Sequence, residues 1–408
     1  MTSSTRSRGA ATWTLLSLAI GSFGIGMTEF VVMGLLPDIA RDLLPHVWAA
    51  SPERAISQSG WLITLYAFGV VIGAPTIAGS VAKYPRHRVM VVLALALTVF
   101  NALTFLLPSF ELVALSRLLA GLPHGAFFGI GALVAADAMG PGNRAKGAAF
   151  VLTGLTVANV VGVPAGTFLG QQLGWRAAFL VVAGVFALAT GMIAMFVPAR
   201  PGDAGRTLRA ELKVFRIGQV WMTLATGAIG FGGFFAVYSY IAPLVTEVAG
   251  SPAAAVPVVM VVMGVGMTLG NVVGGHLADL HIERTLVGGL VALIAMQVLM
   301  ALSAPWIFAF AATVFLFGAI SSAIVPTIQV RLMDVAGDNQ SIAAALNHSA
   351  LNTGNALGAF LGGAVIAGGF GYVAPVWVGV ALAVAGLVLA VVSVAGQRRG
   401  TQRLAEVV

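Results

Sequence analysis

Apolar runs of about twenty residues recur along the chain, each long enough as a helix to cross the roughly 30 Å hydrocarbon core of a bilayer. There are twelve, at about 13–36, 58–80, 88–107, 110–137, 145–170, 177–197, 218–244, 255–278, 285–303, 306–332, 342–367 and 373–395, numbered here as spans 1 to 12. Gly, Pro and Asn within them do not argue against helix in lipid, where neighbouring helices satisfy freed backbone groups. Span 1 follows Arg6 and Arg8. It is too long for the apolar part of a signal peptide and lacks a small-residue cleavage site, so it is expected to be retained. The pattern predicts an all-α, multi-pass integral membrane protein.

Composition strengthens that reading and removes others. Of 408 residues, 59% are hydrophobic and only 9% charged, and the mean hydropathy is +0.99. A soluble domain carries about a quarter charged residues. With no cysteine, disulfides, thiol chemistry and Cys-based metal sites are excluded. The net charge of +7 does not gather into one patch, so no nucleic-acid partner is expected. With the N-terminus inside, only Arg41, Arg54 and Arg176 fall in outer loops and Arg117 lies within the membrane, leaving the other 17 Lys and Arg inside. That asymmetry predicts cytoplasmic termini in a bacterial inner (plasma) membrane.

The longest basic connection separates six spans from six. The expected organisation is a six-helix bundle over 1–198, a cytoplasmic linker over 199–217, a second bundle over 218–396 and a cytoplasmic tail over 397–408. The halves repeat one another. An offset of 197 pairs Gly69 with Gly266, Gly73 with Gly270, Gly121 with Gly318 and Gly174 with Gly371. An offset of 196 pairs Asn159, Gly162 and Gly166 with Asn355, Gly358 and Gly362. Early in the halves an offset of 206 pairs Gly24, Gly26 and Pro37 with Gly230, Gly232 and Pro243, so a longer first outer loop is expected between Asp38 and Ser57. Two pseudo-symmetric six-helix halves are a layout of secondary transporters.

Specific motifs point the same way. Gly26-Met-Thr-Glu-Phe30 with Met33, Gly34 and Pro37 occupies span 1, and Tyr66 to Pro75 fills span 2. Span 4 holds Gly121-Leu-Pro-His-Gly-Ala-Phe-Phe-Gly129, span 5 holds Thr156 to Gly166, and Gly174-Trp-Arg-Ala-Ala-Phe179 follows. Carrying these, nearly the whole chain resembles the major facilitator superfamily in its drug and sugar efflux branch, most closely the arabinose-efflux permease (AraJ-like) group. The resemblance implies alternating access of two bundles, with spans 1, 4, 7 and 10 lining a central cavity. It implies export of a small organic molecule, either a sugar or an amphipathic drug such as a chloramphenicol-like compound, in exchange for protons.

The chain also departs from the family pattern. The loop after span 2 normally carries an Asp and a Gly among basic residues; here Ala82 and Pro85 stand there, although Lys83, Arg86 and Arg88 remain. The repeated loop keeps Asp279, with Arg284 nearby. Lys83, Arg86, Asp279 and Arg284 are therefore candidates for a cytoplasmic gate. The alternative is ordinary positive-inside charge and a helix cap. In span 5 the antiporter segment of the family has Pro directly after Gly, whereas here Pro164 comes one residue later than in that form. Gly162, Gly166 and Gly170 form a small-residue face, and Pro164 removes a backbone bond, which together predict a bend against a close neighbour.

No phosphate-cradling loop is present, and Lys83, Lys146 and Lys213 are the only lysines, so ATP is not the fuel within this chain. No metal-ligand cluster or nucleophile triad converges, and neither enzyme activity nor a cofactor is expected. An ion gradient remains, and it requires a titratable group inside the membrane. Glu29 is the one acidic residue well within a span, and Arg117 the one cation; charges there are functional candidates by default. Glu29 lies eight residues before Pro37 and Arg117 eight after Ser109. Each is then about 12 Å from the outer end of its helix, at matching depth. Two readings stand: Glu29 carries the coupling proton with Arg117 tuning it, or the two form a permanently ionised clamp between spans 1 and 4.

His124, seven residues after Arg117, lies on the same helix face and either titrates or is a neutral hydrogen-bonded histidine. Met33, His124, Phe234, Phe235, Tyr238 and Ser321 are the candidate cavity residues, an apolar and aromatic set that favours an amphipathic substrate. Asn159 and Asn355 read mainly as interhelical hydrogen-bonding groups. The expected partners are a small-molecule substrate, protons and the lipid bilayer, with the chain a monomer. A non-coupled facilitator and a non-transporting receptor on the same scaffold are the alternatives.

Overall fold

The computed structural model describes residues 2–81, 83–140, 143–199, 212–337 and 340–407. Among them, eleven helices are long and apolar enough to cross a bilayer. One, Ala255–Ser303, has 49 residues, which is about 74 Å at 1.5 Å per residue and far too long for one crossing. It breaks at His281, whose φ of −154° and ψ of 84° are not helical. Spans 8 and 9 lie on either side of that break, and the twelve expected spans are all present.

Spans 2, 3, 4 and 6 are the helices Trp61–Val81, Arg86–Leu106, Phe110–Met139 and Trp175–Phe196, and spans 10, 11 and 12 are Ile307–Ala336, Gln340–Ala367 and Ala374–Val407. Span 1 differs from the expectation at its outer end. The helix Thr2–Leu43 runs straight through Pro37, because an internal proline removes a single N–H donor and a packed helix can absorb that. The first outer connection, residues 44–60, is longer than its counterpart, residues 249–254, as the change of offset requires, and it is ordered as two helices, Pro45–Ala50 and Pro52–Ser59, each begun by a proline. Ser51 caps the second, its hydroxyl accepting from the Arg54 N–H at 3.3 Å. Residues 200–211 of the expected linker, and Ala82 in the loop after span 2, lie outside the described residues.

The chain divides into two compact units, residues 1–207 with 253–261, and residues 208–252 with 262–408. In the first, Leu18 and Ile25 of span 1, Leu93 and Leu97 of span 3, Phe127 of span 4 and Phe186 of span 6 form the buried core. Large apolar residues such as Val92, Leu188 and Met195 stand exposed on its outside, a surface that lipid, not water, would cover.

The paired glycines do equivalent work in each unit. A methyl at Gly69 or Gly73 would strike the Leu118 or Leu122 carbonyl of span 4; at Gly266 or Gly270 it would strike the Phe315 or Ala319 carbonyl of span 10. Gly24 and Gly26 face Phe186 of span 6 and Ala158 of span 5, while Gly230 and Gly232 face Gly386 of span 12 and Gly354 of span 11. Gly174 and Gly371, before spans 6 and 12, both hold positive φ, 89° and 78°. Small residues are what let backbones approach in lipid.

Spans 5 and 7 are irregular. Span 5 passes from Arg144–Val157 through a π-helical turn, Ala158–Gly162, into Val163–Leu173. The wide turn directly precedes Pro164, which cannot donate to the carbonyl four residues back. Past it, a methyl on Gly162, Gly166 or Gly170 would meet Phe23 at 2.7 Å, Val31 at 3.1 Å or Leu35 at 2.5 Å, so this face lies directly on span 1. Span 7 carries two π turns, Thr226–Gly230 and Leu244–Val248, around Gly232–Tyr238.

Candidate functional site

Span 4 is capped by Ser109, whose hydroxyl accepts from the Leu112 N–H at 3.4 Å. Two turns in, Arg117 is fully buried. The close glycine contact between spans 2 and 4 lays the Tyr66 ring against it, 4.2 Å from the guanidinium carbon, with the Phe179 ring of span 6 at 5.5 Å. Arg117 Nη1 donates to the Thr28 hydroxyl and Nη2 to the Thr28 carbonyl, both at 2.8 Å. A carbonyl has two lone pairs, so Thr28 can accept here without leaving the helical ladder. The Thr28 hydroxyl in turn donates to Asn101 Oδ1 at 2.5 Å, and Asn101 Nδ2 donates to the Leu97 carbonyl at 2.7 Å. One buried cation thus ties spans 1, 2, 3 and 4 together.

His124 joins the same group from the other end of Tyr66. The Tyr66 hydroxyl and His124 Nδ1 are 3.1 Å apart, so the arginine covers the ring while the histidine meets its hydroxyl. The shared face expected from their seven-residue spacing is therefore organised around Tyr66. Glu29, buried at 6% exposure and one position beyond Thr28, lies within electrostatic reach of Arg117 and Tyr66. Arg117 Nε is buried with no hydrogen-bond partner among the described residues. Met33 is buried one turn further along span 1.

Sequence reasoning paired Arg117 with Glu29, which lies within its electrostatic reach, but did not find Thr28, which accepts from both of its terminal nitrogens, or Asn101, which accepts from Thr28. A signal existed for Asn101, a lone amide in an otherwise apolar stretch of span 3.

The second unit fills the equivalent place differently. At the offsets above, Arg117 corresponds to Val314, and Thr28 and Glu29 to Phe234 and Phe235. Phe234 stacks on Phe231 and on Phe317 of span 10, with centroids 5.0 and 5.5 Å apart, and meets Phe235 and Tyr238 edge-on. Where spans 1 and 4 are joined by a charge, spans 7 and 10 are joined by rings. Phe234 is thereby engaged in packing within its own unit. Ser321 is buried, its hydroxyl without a hydrogen-bond partner among the described residues, and the same holds for Asn159 Oδ1. Asn355 is buried in span 11.

Two ion pairs stand at the basic-loop ends. Arg86 pairs with Asp137 at the end of span 4, at 2.7 Å, and Glu283 with Arg331 at the end of span 10, at 4.0 Å. Glu283 is the counterpart of Arg86 at offset 197, so the two units use the same place with opposite polarity. Lys83, Asp279 and Arg284 are exposed, and none forms an ion pair among the described residues. Asp279 and Arg284 sit at a loop where the neighbouring Glu283 reaches the arginine instead. No cluster of His, Asp or Glu suited to a metal occurs among the described residues.

The sequence profile of the Major Facilitator Superfamily matches residues 18–337 and 252–406. The chain belongs to the major facilitator superfamily. Its relatives in that family include the inner membrane transport protein YdhP of Escherichia coli K12, 39% identical over 360 residues, covering 88% of this chain and 90% of the relative. The putative transporter AraJ of the same strain is 33% identical over 88% of this chain and 89% of its own length. A chloramphenicol resistance protein of Streptomyces lividans is 31% identical over 92% and 94%. The fold also matches the crystal structure of a bacterial homologue of the human lysosomal transporter Spinster, with a TM-score of 0.67 at 16% identity, covering 95% of this chain and 96% of that one. As a member of this family the chain is a membrane transporter and not an enzyme.

Proposed function

We propose that this transporter exports a small amphipathic organic molecule in exchange for protons by alternating access, with Glu29 as the proton-carrying group. The observation that carries this reading is the anchoring of Arg117 by Thr28. Thr28, a neutral residue, accepts from both terminal nitrogens of Arg117 and so joins spans 1 and 4. Glu29, one position along, is a buried titratable carboxyl within electrostatic reach of that cation. Burial favours its neutral form and the guanidinium its ionised form, the balance that a proton carrier needs.

The substrate class rests on two supports. The candidate contact residues are mostly apolar or aromatic: Met33 and His124 in the first unit, Phe235, Tyr238 and Ser321 in the second. One relative is a chloramphenicol resistance protein. The ion pairs Arg86–Asp137 and Glu283–Arg331 are assigned to the cytoplasmic gate, with Lys83, Asp279 and Arg284 supplying surrounding charge. Gly162, Pro164 and Gly166 are assigned to the bend and close packing of span 5 against span 1.

The test uses purified protein in proteoliposomes with chloramphenicol and arabinose as probes. Glu29→Gln is expected to abolish accumulation driven by a pH gradient while preserving exchange of labelled for unlabelled substrate. Undiminished pH-driven transport in this variant would sink the carrier role, and flux indifferent to pH in the unmodified protein would identify a non-coupled facilitator.

A further inference from the structure

An apolar groove of about 470 Å³ opens on the outside of the first unit, between spans 2 and 3. Ile77 and Val81 form one wall, Val89, Val92 and Ala96 the other, and Leu122 and Pro123 of span 4 the floor. It belongs to neither the Arg117 group nor the candidate substrate residues. Val92, Leu95 and Val99 stand exposed beside it at 62, 50 and 45%, so it opens towards the hydrocarbon of the bilayer. Its long wall runs from Arg88 to Phe100. That is about 18 Å of helix, against roughly 15 Å for one leaflet's share of the hydrocarbon core.

The mouth carries the opposite chemistry. Arg88 and Tyr84 line it, and the Lys83 ammonium lies 5.3 Å from the centre of the Tyr84 ring. Arg86 is already committed to Asp137, whereas Lys83 and Arg88 have no ion-pair partner among the described residues. Two available cations therefore stand where an apolar slot of leaflet length meets the membrane surface.

We propose that this groove is a binding site for one anionic phospholipid, an acyl chain lying along span 3 and the headgroup phosphate held by Arg88 and Lys83. Slot length selects a chain over a compact solute, and the cations select the headgroup. Basic pockets between membrane helices on the cytoplasmic side are known to hold anionic lipid headgroups.

Native mass spectrometry of the full-length, delipidated protein tests this by titration with phosphatidylglycerol and with phosphatidylcholine of identical chains. One phosphatidylglycerol is expected to bind about thirtyfold more tightly, from two cations each contributing near the surface. Arg88→Gln with Lys83→Gln, both at exposed positions, should bring the ratio close to one. Ala96→Phe, which fills the slot, should weaken both lipids. Soluble glycerol phosphate at the same concentration should not compete. An unchanged ratio in the double glutamine variant overturns the headgroup assignment. Full displacement by glycerol phosphate, or unaltered lipid binding in a folded Ala96→Phe protein, overturns the acyl-chain site.

Discussion

A buried arginine in a membrane protein must have its donors satisfied locally, since no water competes to help. Arg117 meets that demand at its two terminal nitrogens with both oxygens of Thr28, and packs against the face of Tyr66, while its Nε has no hydrogen-bond partner among the described residues. Thr28→Val keeps the shape and the carbonyl but removes the hydroxyl, so it strips one charge-assisted bond and leaves Asn101 Oδ1 short of a donor. The expected cost is about 1–3 kcal/mol, read as a lower unfolding midpoint in detergent. Tyr66→Phe removes only the contact with His124 and should cost less, about 0.5–1.5 kcal/mol. Reversal of that order would contradict the assignment of Thr28 as the main anchor. Arg117→Lys should not restore stability, because a single ammonium cannot reproduce the two-pronged grip. At this scale the two charges were legible in the sequence, but the grip was not.

The elements are held by glycine. Spans 2 and 4 approach so closely at Gly73 that an added methyl would collide with the Leu122 backbone, and spans 8 and 10 do the same at Gly270. Backbone cannot move aside as the tip of a side chain can. Gly73→Ala or Gly270→Ala should therefore each cause marked loss of folded protein, measured by expression and size-exclusion profile. Gly184→Ala, where nothing lies within 4 Å among the described residues, serves as the control and should behave as wild type. Equal tolerance at all three positions would contradict the close contact. The repeat made Gly73 and Gly270 conspicuous in the sequence. It did not say which helix each one faces, nor that span 1 continues through Pro37 or that span 5 widens into a π turn before Pro164.

For the whole molecule, charge asymmetry across the loops makes a prediction about orientation. A fluorescent protein that folds only in the cytoplasm, fused after Val408, should be bright, and alkaline phosphatase fused at the same point should be inactive. The opposite pattern would reverse the topology and move the Arg86–Asp137 and Glu283–Arg331 pairs to the outer side. The two units share their glycine contacts yet differ in what joins their first and fourth helices, a cation in one and stacked rings in the other. The proposed proton chemistry therefore belongs to the first unit alone.

The number of spans, the two-fold repeat and the presence of a buried Arg and Glu were set by the sequence itself. A bilayer imposes a fixed apolar length and a loop-charge rule, and both are read along one dimension. That Thr28 takes the two terminal nitrogens of Arg117 was decided only in three dimensions. Thr28 and Glu29 are adjacent in sequence but about 100° apart around the helix, and the rotation of span 1 depends on glycine contacts with spans 5 and 6 that no local pattern encodes. The lipid-facing groove has the same origin. Residues of spans 2, 3 and 4 line it together, so it is a property of packed helices, not of any one of them.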